Sequence, residues 1–247
     1  MRHGAVRSLT AATTAGALLL AALSACGGAD LKTARRAGAA AGAEGVRATP
    51  SPVDRTRIPD VGDRLLRRIP AGSRQVLAVY GDSEDSAKST AVLYLKRGPA
   101  WERVRSWPAH NGKKGWTWDH RLGDKRSPVG VFTLTAAGGV LDDPGTRLPY
   151  TQSEDFTAPS DWGPSHAHDF DYVIAIDYNR VKGTPPHDAE QPWGEEKGGG
   201  IWLHLDHGSG TLACVGLARE AMKHLLRTLD PELEPVVVMG DREALKA

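Results

Sequence analysis

Cysteine is rare in this chain, which has only Cys26 and Cys214 among its 247 residues. Two cysteines exclude a fold that is held together by several disulfide bonds. An excess of one charge is also lacking, because 31 Lys and Arg balance 30 Asp and Glu to leave a net charge of +1. A near-neutral chain without basic clusters lacks the surface that attracts nucleic acid, and we expect no nucleic-acid partner.

The sequence also lacks an apolar run that is long enough to cross a membrane. The stretch from about Leu9 to Leu23 is apolar, but threonines and a glycine interrupt it, and it is shorter than the roughly 20 residues that cross a bilayer. Arg2 and Arg7 precede the stretch, as basic residues precede the apolar part of a signal peptide. We therefore interpret residues 1–25 as a signal peptide and not as a membrane helix.

The segment that follows, Leu23-Ser24-Ala25-Cys26, resembles the lipobox of bacterial lipoproteins. The resemblance implies that Cys26 becomes the lipidated first residue of the mature chain. Each buried methylene of the acyl chains contributes about 0.8 kcal/mol, so two chains anchor a protein stably in a membrane. We expect an exported monomer that is anchored at the outer face of the cytoplasmic membrane and faces the cell wall.

The next segment contains few large apolar residues. From Gly27 to about Arg57 the chain consists mainly of Ala, Gly, Arg, Thr and Pro, which bury too little surface to offset the entropy of ordering. We predict that residues 26–70 are the lipidated cysteine and a flexible tether, and that residues 71–247 form one folded domain.

The folded domain is predicted to be mainly β, with one or two helices. Apolar residues at every fourth position predict a helix over 217–229. Residues 141–168 show little periodicity and are predicted to form a long loop. Short runs rich in β-branched and aromatic residues predict strands over 74–81, 90–96, 101–107, 129–135, 172–176, 201–205 and 235–239.

Cys214 requires an explanation, because with Cys26 lipidated it has no intramolecular partner in an oxidising compartment. It is either a buried thiol that packs as a small apolar side chain or a reactive nucleophile. Cys214 precedes the predicted helix by three residues, where the positive end of the helix dipole would favour a thiolate. His204 ends a predicted strand ten residues earlier, on the face opposite Leu203 and Leu205, and is the candidate base.

These residues resemble the L,D-transpeptidase family, whose signature is a histidine on a strand, a loop, and Ser/Thr-x-Gly-Cys. The resemblance implies the YkuD-type fold, a β-sandwich-like domain. The resemblance covers nearly all of residues 74–240 in the same order. The segments that carry it are Ile201-Trp202-Leu203-His204, Thr211-Leu212-Ala213-Cys214-Val215, Asp124-Lys125-Arg126-Ser127-Pro128-Val129-Gly130-Val131-Phe132, Leu148-Pro149-Tyr150 and Ile176-Asp177-Tyr178-Asn179.

The resemblance implies a reaction for Cys214. The thiol would attack the carbonyl of the third residue of a peptidoglycan stem tetrapeptide, expel D-Ala, and pass the acyl group to an amine. His204 would act as general base and then as general acid, oriented by the main-chain carbonyl of Leu205. The main-chain N–H groups of Ala213 and Cys214 would form the oxyanion hole.

The resemblance also implies which residues contact the substrate and whether the reaction needs a cofactor. Tyr150, Thr211 and His207 would contact the stem peptide, and the reaction would need no metal and no other cofactor. Two positions depart from the family pattern. Gly216 replaces an arginine that often lies two residues after the nucleophile, and Ala213 replaces the glycine that precedes it. If this position requires a positive φ, the alanine costs about 1 kcal/mol or more.

Other functions fit parts of the same pattern. One is a lipoprotein of the same fold that binds the cell wall without catalysis. Another is a zinc-dependent peptidase that uses His204 and His207, with His166, His168 and Asp169 as further potential ligands. A sortase also has a histidine before its cysteine, but there a strand follows the cysteine, whereas here a helix is predicted. The order of histidine before cysteine argues against papain-like wall hydrolases.

The sequence does not determine the identity of the acyl acceptor. An amine of a second stem peptide, an amine of an attached protein, a free D-amino acid and water are all compatible with the residues named above.

Overall fold

The computed structural model describes residues 54–247. The predicted signal peptide over 1–25, the predicted lipidation site Cys26 and most of the predicted tether lie outside the described residues. None of the helices within residues 54–247 has the length and apolar character of a membrane span.

The described residues are built mainly from β-strands. The strands are β1 (Gln75–Gly81), β2 (Lys88–Arg97), β3 (Ala100–His110), β4 (Trp116–Thr117), β5 (Ser127–Pro128), β6 (Gly130–Thr133), β7 (Ala137–Gly139), β8 (Tyr150–Gln152), β9 (Val173–Ala175), β10 (Trp202–Leu205), β11 (Val215–Leu217) and β12 (Val236–Asp241). The helices are α1 (Asp63–Leu66), α2 (Arg219–Thr228) and α3 (Arg242–Lys246). Single 3₁₀ turns occur at Glu154–Phe156, Ser160–Trp162, Pro164–His166, Glu195–Lys197 and Pro231–Leu233.

Ten of the strands form one mixed sheet in the order β6-β12-β1-β2-β3-β11-β10-β9-β7-β8. Most neighbours are antiparallel, whereas β1 with β12, β10 with β11, and β7 with β8 are parallel pairs. Strands β4 and β5 pair with each other outside this sheet. The prediction of a mainly β domain is therefore confirmed.

The strands β1 and β12 are covered on both faces of the sheet. All seven residues of β1 are buried, as expected for a strand that is packed on both sides. Leu77 and Val79 belong to one apolar cluster, and Val76 and Ala78 belong to a second cluster on the opposite face. Helix α2 covers the first cluster with one apolar face.

Residues 58–70 are part of the fold, and the predicted domain boundary at residue 71 is too late. Ile58, Val61 and Leu65 are buried in the second apolar cluster together with Leu245 of α3. The main-chain N–H of Gly62 donates to the carbonyl of Leu245 over 2.7 Å, which ties the two ends of the domain together. The composition of residues 58–70 did not indicate that they pack into the fold, because their few apolar residues are separated by charged ones.

The predicted helix begins two residues too early, and a strand was missed in front of it. Val215 to Leu217 form β11, which pairs with β10 on one side and with β3 on the other. Leu217 fits the helical period of the sequence, yet its side chain is a buried strand residue. Helix α2 begins at Arg219, after Ala218 as its N-cap residue.

The other predicted strands agree with observed ones to within a few residues. The region over 141–168, predicted to be a loop, consists of β8, three 3₁₀ turns and irregular segments. Its last turns supply residues to the wall of a cleft, which is described next.

Candidate active site

His204 is held in β10 with its side chain buried. The residue is 3% exposed, and its ring and the Phe170 ring form a T-shaped pair with centroids 5.2 Å apart. Its neighbours Leu203 and Leu205 turn into the first apolar cluster, as the alternation of the strand predicted. His204 thus faces away from that cluster and is still removed from bulk water.

The imidazole of His204 has a defined tautomer. Its Nδ1 lies 2.8 Å from the carbonyl oxygen of Leu205, and because a carbonyl only accepts, Nδ1 carries the proton. This is the contact that the family resemblance implies for Leu205. Burial lowers the pKa of His204 below its ordinary value, against the opposing effect of the Leu205 carbonyl and the Asp169 carboxylate. The ring is therefore neutral near pH 7, with a free lone pair on Nε2.

Cys214 lies directly before β11, and its thiol contacts the strand that carries His204. The main-chain N–H of Trp202 donates to the sulfur over 3.4 Å, and the thiol donates to the carbonyl of Gly200 over 3.6 Å. Burial raises the pKa of the Cys214 thiol to about 11, an effect that the Asp169 carboxylate reinforces and the N–H of Trp202 opposes. The resting thiol is therefore protonated at neutral pH.

The prediction that the positive end of a helix dipole favours a thiolate at Cys214 is wrong. Strand β11 separates the cysteine from α2, so the first turn of the helix begins five residues further on, at Arg219. The helix dipole acts mainly within its own first turn and does not activate this thiol. The contrast drawn with sortases also fails, because a strand follows Cys214 here as well.

His204 and Cys214 line one cleft of about 660 Å³. Within residues 54–247, no hydrogen bond joins the Cys214 sulfur to the His204 ring, and the thiol proton is directed to Gly200 instead. The two groups are thus a neutral thiol and a neutral imidazole in a shared cleft. Such a pair reacts when the imidazole takes the thiol proton during attack, not from a preformed ion pair.

The loop before Cys214 is fixed by two buried hydroxyl groups. The Thr211 hydroxyl donates to the carbonyl of Cys214 over 2.7 Å, and the Ser127 hydroxyl donates to the carbonyl of Ala213 over 2.6 Å. The Ser127 oxygen in turn accepts from the N–H of Gly112 over 2.9 Å. Thr211, predicted to contact the stem peptide, lines the cleft, but its hydroxyl donates to the Cys214 carbonyl within the loop.

Ala213 adopts an ordinary backbone conformation. Ala213 is not among the described residues that have a positive φ. An alanine at this position therefore causes no backbone strain of the kind considered from the sequence. Its side chain belongs to the first apolar cluster and is 9% exposed. Within residues 54–247, neither the N–H of Ala213 nor that of Cys214 is donated to a partner, so both are available to a ligand.

His207 and Tyr150 were also predicted to contact the stem peptide, but only His207 lies in the cleft. His207 lines the cleft beside His204, and the two rings stack with centroids 6.3 Å apart. Tyr150 is not part of the cleft wall, because β8 lies at the far edge of the sheet beyond β7. The Tyr150 hydroxyl donates to the carbonyl of Leu141 over 2.8 Å.

The cleft also contains residues that the sequence did not single out. Leu122, Leu212 and Trp162 are exposed apolar side chains on its wall, and Lys113 and Lys125 add two positive charges. The sequence offered no signal for them, because the exposure of Leu122 and Leu212 is visible only in the structure, where large apolar side chains in contact with water often mark a binding surface.

His166, Asp169 and His207 come together, whereas the other proposed metal ligands do not join them. Potential ligand atoms of these three residues all lie within 4.8 Å of one another. His204 is not in this group, and the side chain of His168 is 77% exposed and contacts Asp171. The zinc peptidase that was considered from the sequence, with His204 and His207 as ligands, is therefore not the arrangement found.

The raised pKa of Cys214 predicts a pH-dependent reactivity. In the full chain carrying Cys26→Ser, alkylation of Cys214 by iodoacetamide should accelerate about tenfold per pH unit between pH 7 and 9, because the thiolate fraction rises at this rate below the pKa. Intact-mass measurement of the labelled fraction over time checks this, with Cys214→Ala as the unlabelled control. A rate that is constant over this range would contradict a neutral resting thiol.

The buried methyl of Ala213 predicts the effect of glycine there. Ala213→Gly should lower the free energy of unfolding by about 1–2 kcal/mol, from lost apolar burial and a more flexible unfolded chain. It should leave the alkylation rate of Cys214 unchanged, since no strain is relieved. Urea denaturation and the iodoacetamide assay measure the two effects. A faster alkylation together with unchanged stability would mean that alanine distorts the loop.

The chain is similar to two solved structures at low identity. One is Bd1075 of Bdellovibrio bacteriovorus, with 16% identity and a TM-score of 0.38, matched over 68% of this chain and 48% of that one. The other is the helical cell shape determining protein Pgp2 of Campylobacter jejuni, with 18% identity and a TM-score of 0.39, matched over 75% of this chain and 57% of that one. The matches therefore span about half of each solved chain. No curated protein matches this chain.

A sequence model of the YkuD family, the L,D-transpeptidase catalytic domain, matches residues 85–238. The match covers more than half of the chain and includes β10, Cys214 and β11. The chain therefore belongs to the L,D-transpeptidase catalytic domain family.

Proposed function

We propose that this protein is a peptidoglycan L,D-transpeptidase in which Cys214 forms an acyl-enzyme with a stem tetrapeptide and His204 is the general base. The observation that carries the proposal is that a free thiol and a buried imidazole with a defined tautomer line the same cleft. Membership of the family supports an action on peptidoglycan.

The first step follows from the protonation states of the two groups. The substrate carbonyl displaces the thiol from its contact with Gly200, and Nε2 of His204 takes the proton as sulfur attacks. The Leu205 carbonyl stabilises the imidazolium through Nδ1. The free N–H groups of Ala213 and Cys214 bind the oxyanion, and such donors typically contribute about a hundredfold to a thousandfold in rate.

The remaining steps return the protein to its starting state. His204 gives its proton to the leaving nitrogen of D-Ala, and the thioester stays on Cys214. An acceptor then attacks the thioester, His204 takes the acceptor's proton and passes it to the leaving sulfur, and Cys214 is released as thiol. The acceptor is an amine of a second stem peptide, an amine of an attached protein, a free D-amino acid, or water.

The wall of the cleft fits an acidic peptide. Lys113 and Lys125 line it together with apolar side chains such as Leu122 and Leu212. A stem tetrapeptide carries carboxylates, including that of its terminal D-Ala, and a lysine ammonium provides a suitable partner for each. We propose that these two lysines help to orient the stem peptide.

We also propose where the protein acts. A lipid anchor on Cys26 would hold the domain at the outer face of the cytoplasmic membrane, beneath the cell wall that supplies its substrate. The tether then consists of the residues between Cys26 and about Ile58, where packing against the second apolar cluster begins.

A second candidate function is binding of the cell wall without turnover. The observation that favours it is the protonated Cys214 thiol, whose pKa is raised to about 11 and which has no hydrogen bond to His204. In this function the cleft would hold a stem peptide as a ligand, and neither residue would take part in bond formation.

A carbapenem separates the two candidates, because its strained lactam carbonyl acylates an activated nucleophile. The full chain carrying Cys26→Ser should gain the mass of one carbapenem, and Cys214→Ala in the same background should gain none. His204→Gln should acylate about a hundredfold or more slowly, because it removes the general base. Intact-protein mass spectrometry with and without a chelator measures each rate.

The outcomes are distinct. An adduct that requires Cys214 and survives the chelator supports the thiol enzyme. No adduct in the native chain, combined with binding of a stem peptide, would favour the wall-binding function. Acylation that is equally fast in His204→Gln would remove His204 from the mechanism.

A further inference from the structure

The cleft wall beside His204 contains a second group of chemically active side chains. His166 lies in a 3₁₀ turn, Asp169 follows it by three residues, and His207 comes shortly after β10. Nδ1 of His166 lies 2.8 Å from Oδ2 of Asp169, and Nδ1 of His207 lies 3.0 Å from the same oxygen. The rings of the two histidines are 4.1 Å apart at their centroids. Two imidazoles and a carboxylate therefore converge on one point.

His207 has no hydrogen-bond partner in this environment. Its side chain is only 5% exposed, and within the described part of the chain neither of its ring nitrogens takes part in a hydrogen bond. The contact of its Nδ1 with Asp169 is short but does not have the direction of an N–H hydrogen bond. A buried polar ring without a partner costs free energy, which an additional ligand at this point would recover.

The spacing of the three groups fits a metal ion. A tetrahedral zinc ion with bonds of about 2.0 Å holds its ligand atoms about 3.3 Å apart. The two imidazole nitrogens already lie 2.8 and 3.0 Å from the Asp169 oxygen, and ligand atoms of the three residues all lie within 4.8 Å of one another. Two imidazoles and a carboxylate are typical ligands of zinc, whereas magnesium and calcium prefer oxygen ligands alone. All three side chains line the cleft, so a fourth coordination position is open to it.

The fold holds Asp169 in a defined position for this role. The residue is 3% exposed, and its main-chain carbonyl accepts from the N–H of Leu205 over 2.8 Å. The rings of Trp162 and His166 form a T-shaped pair with centroids 5.8 Å apart. Residues that surround a metal ligand in this manner fix its orientation before an ion arrives.

We propose that His166, Asp169 and His207 form a binding site for a divalent metal ion of the zinc type, in the wall of the cleft and separate from the thiol and imidazole of the candidate active site. The proposal does not depend on whether Cys214 is a nucleophile. Neither Cys214 nor His204 is among the ligands, so the site and the acyl transfer can be tested independently.

Zinc stoichiometry tests the proposal. The full chain carrying Cys26→Ser, without an affinity tag, is dialysed against micromolar zinc chloride, and bound zinc is measured by mass spectrometry of the metal. One zinc ion per chain is expected, with no comparable binding of magnesium. His207→Gln and Asp169→Asn should each weaken zinc binding about tenfold or more, since each removes a ligand.

Two controls make the test specific. His168→Gln changes an exposed histidine of the same segment and should bind zinc as the parent chain does. Cys214→Ala should also retain zinc. If His207→Gln or Asp169→Asn fails to fold, as shown by its thermal unfolding without metal, the less buried ligand is tested in its place as His166→Gln.

Three results would overturn the proposal. The first is a parent chain that binds no zinc, and the second is zinc binding that is lost in Cys214→Ala. The third is zinc binding that is as tight in the folded ligand variants as in the parent chain. Acylation by a carbapenem is measured separately on the same chain, so failure of the metal site and failure of the proposed function remain distinguishable.

Discussion

The parallel pairing of β10 with β11 is the interaction on which the candidate site depends. It sets Leu203 opposite Val215 and His204 opposite Gly216, so the histidine and the cysteine that precedes β11 enter the same cleft. The hydrogen bond from the N–H of Trp202 to the sulfur is a direct consequence of this register. A shift by one residue would turn His204 into the apolar cluster and separate it from the thiol.

Burial determines the chemistry that this geometry allows. Removal from water raises the pKa of the Cys214 thiol and lowers that of the His204 imidazole, so both groups are neutral before substrate binds. In the proposed mechanism, the proton therefore moves only when a carbonyl is in position for attack. A thiol that rests in its protonated form is also less prone to oxidation, since the thiolate is the reactive species.

Local patterns predicted much of this structure, and contacts between distant residues account for the rest. Alternation in β10 predicted the face on which His204 lies, and the family resemblance implied its contact with Leu205. Strand β11 was missed because three residues are too few for a pattern, and Leu217 also fitted the helical period. Ser127 was missed as the support of the loop, because its partner Ala213 is 86 residues away.

The most direct test of the central claim uses a peptidoglycan stem tetrapeptide and the full chain carrying Cys26→Ser. The account predicts that D-Ala is released and that Cys214 gains the mass of the corresponding tripeptide acyl group. Both signals should be absent in Cys214→Ala. Release of D-Ala by Cys214→Ala, or no release by the parent chain, would contradict a role of Cys214 as the nucleophile.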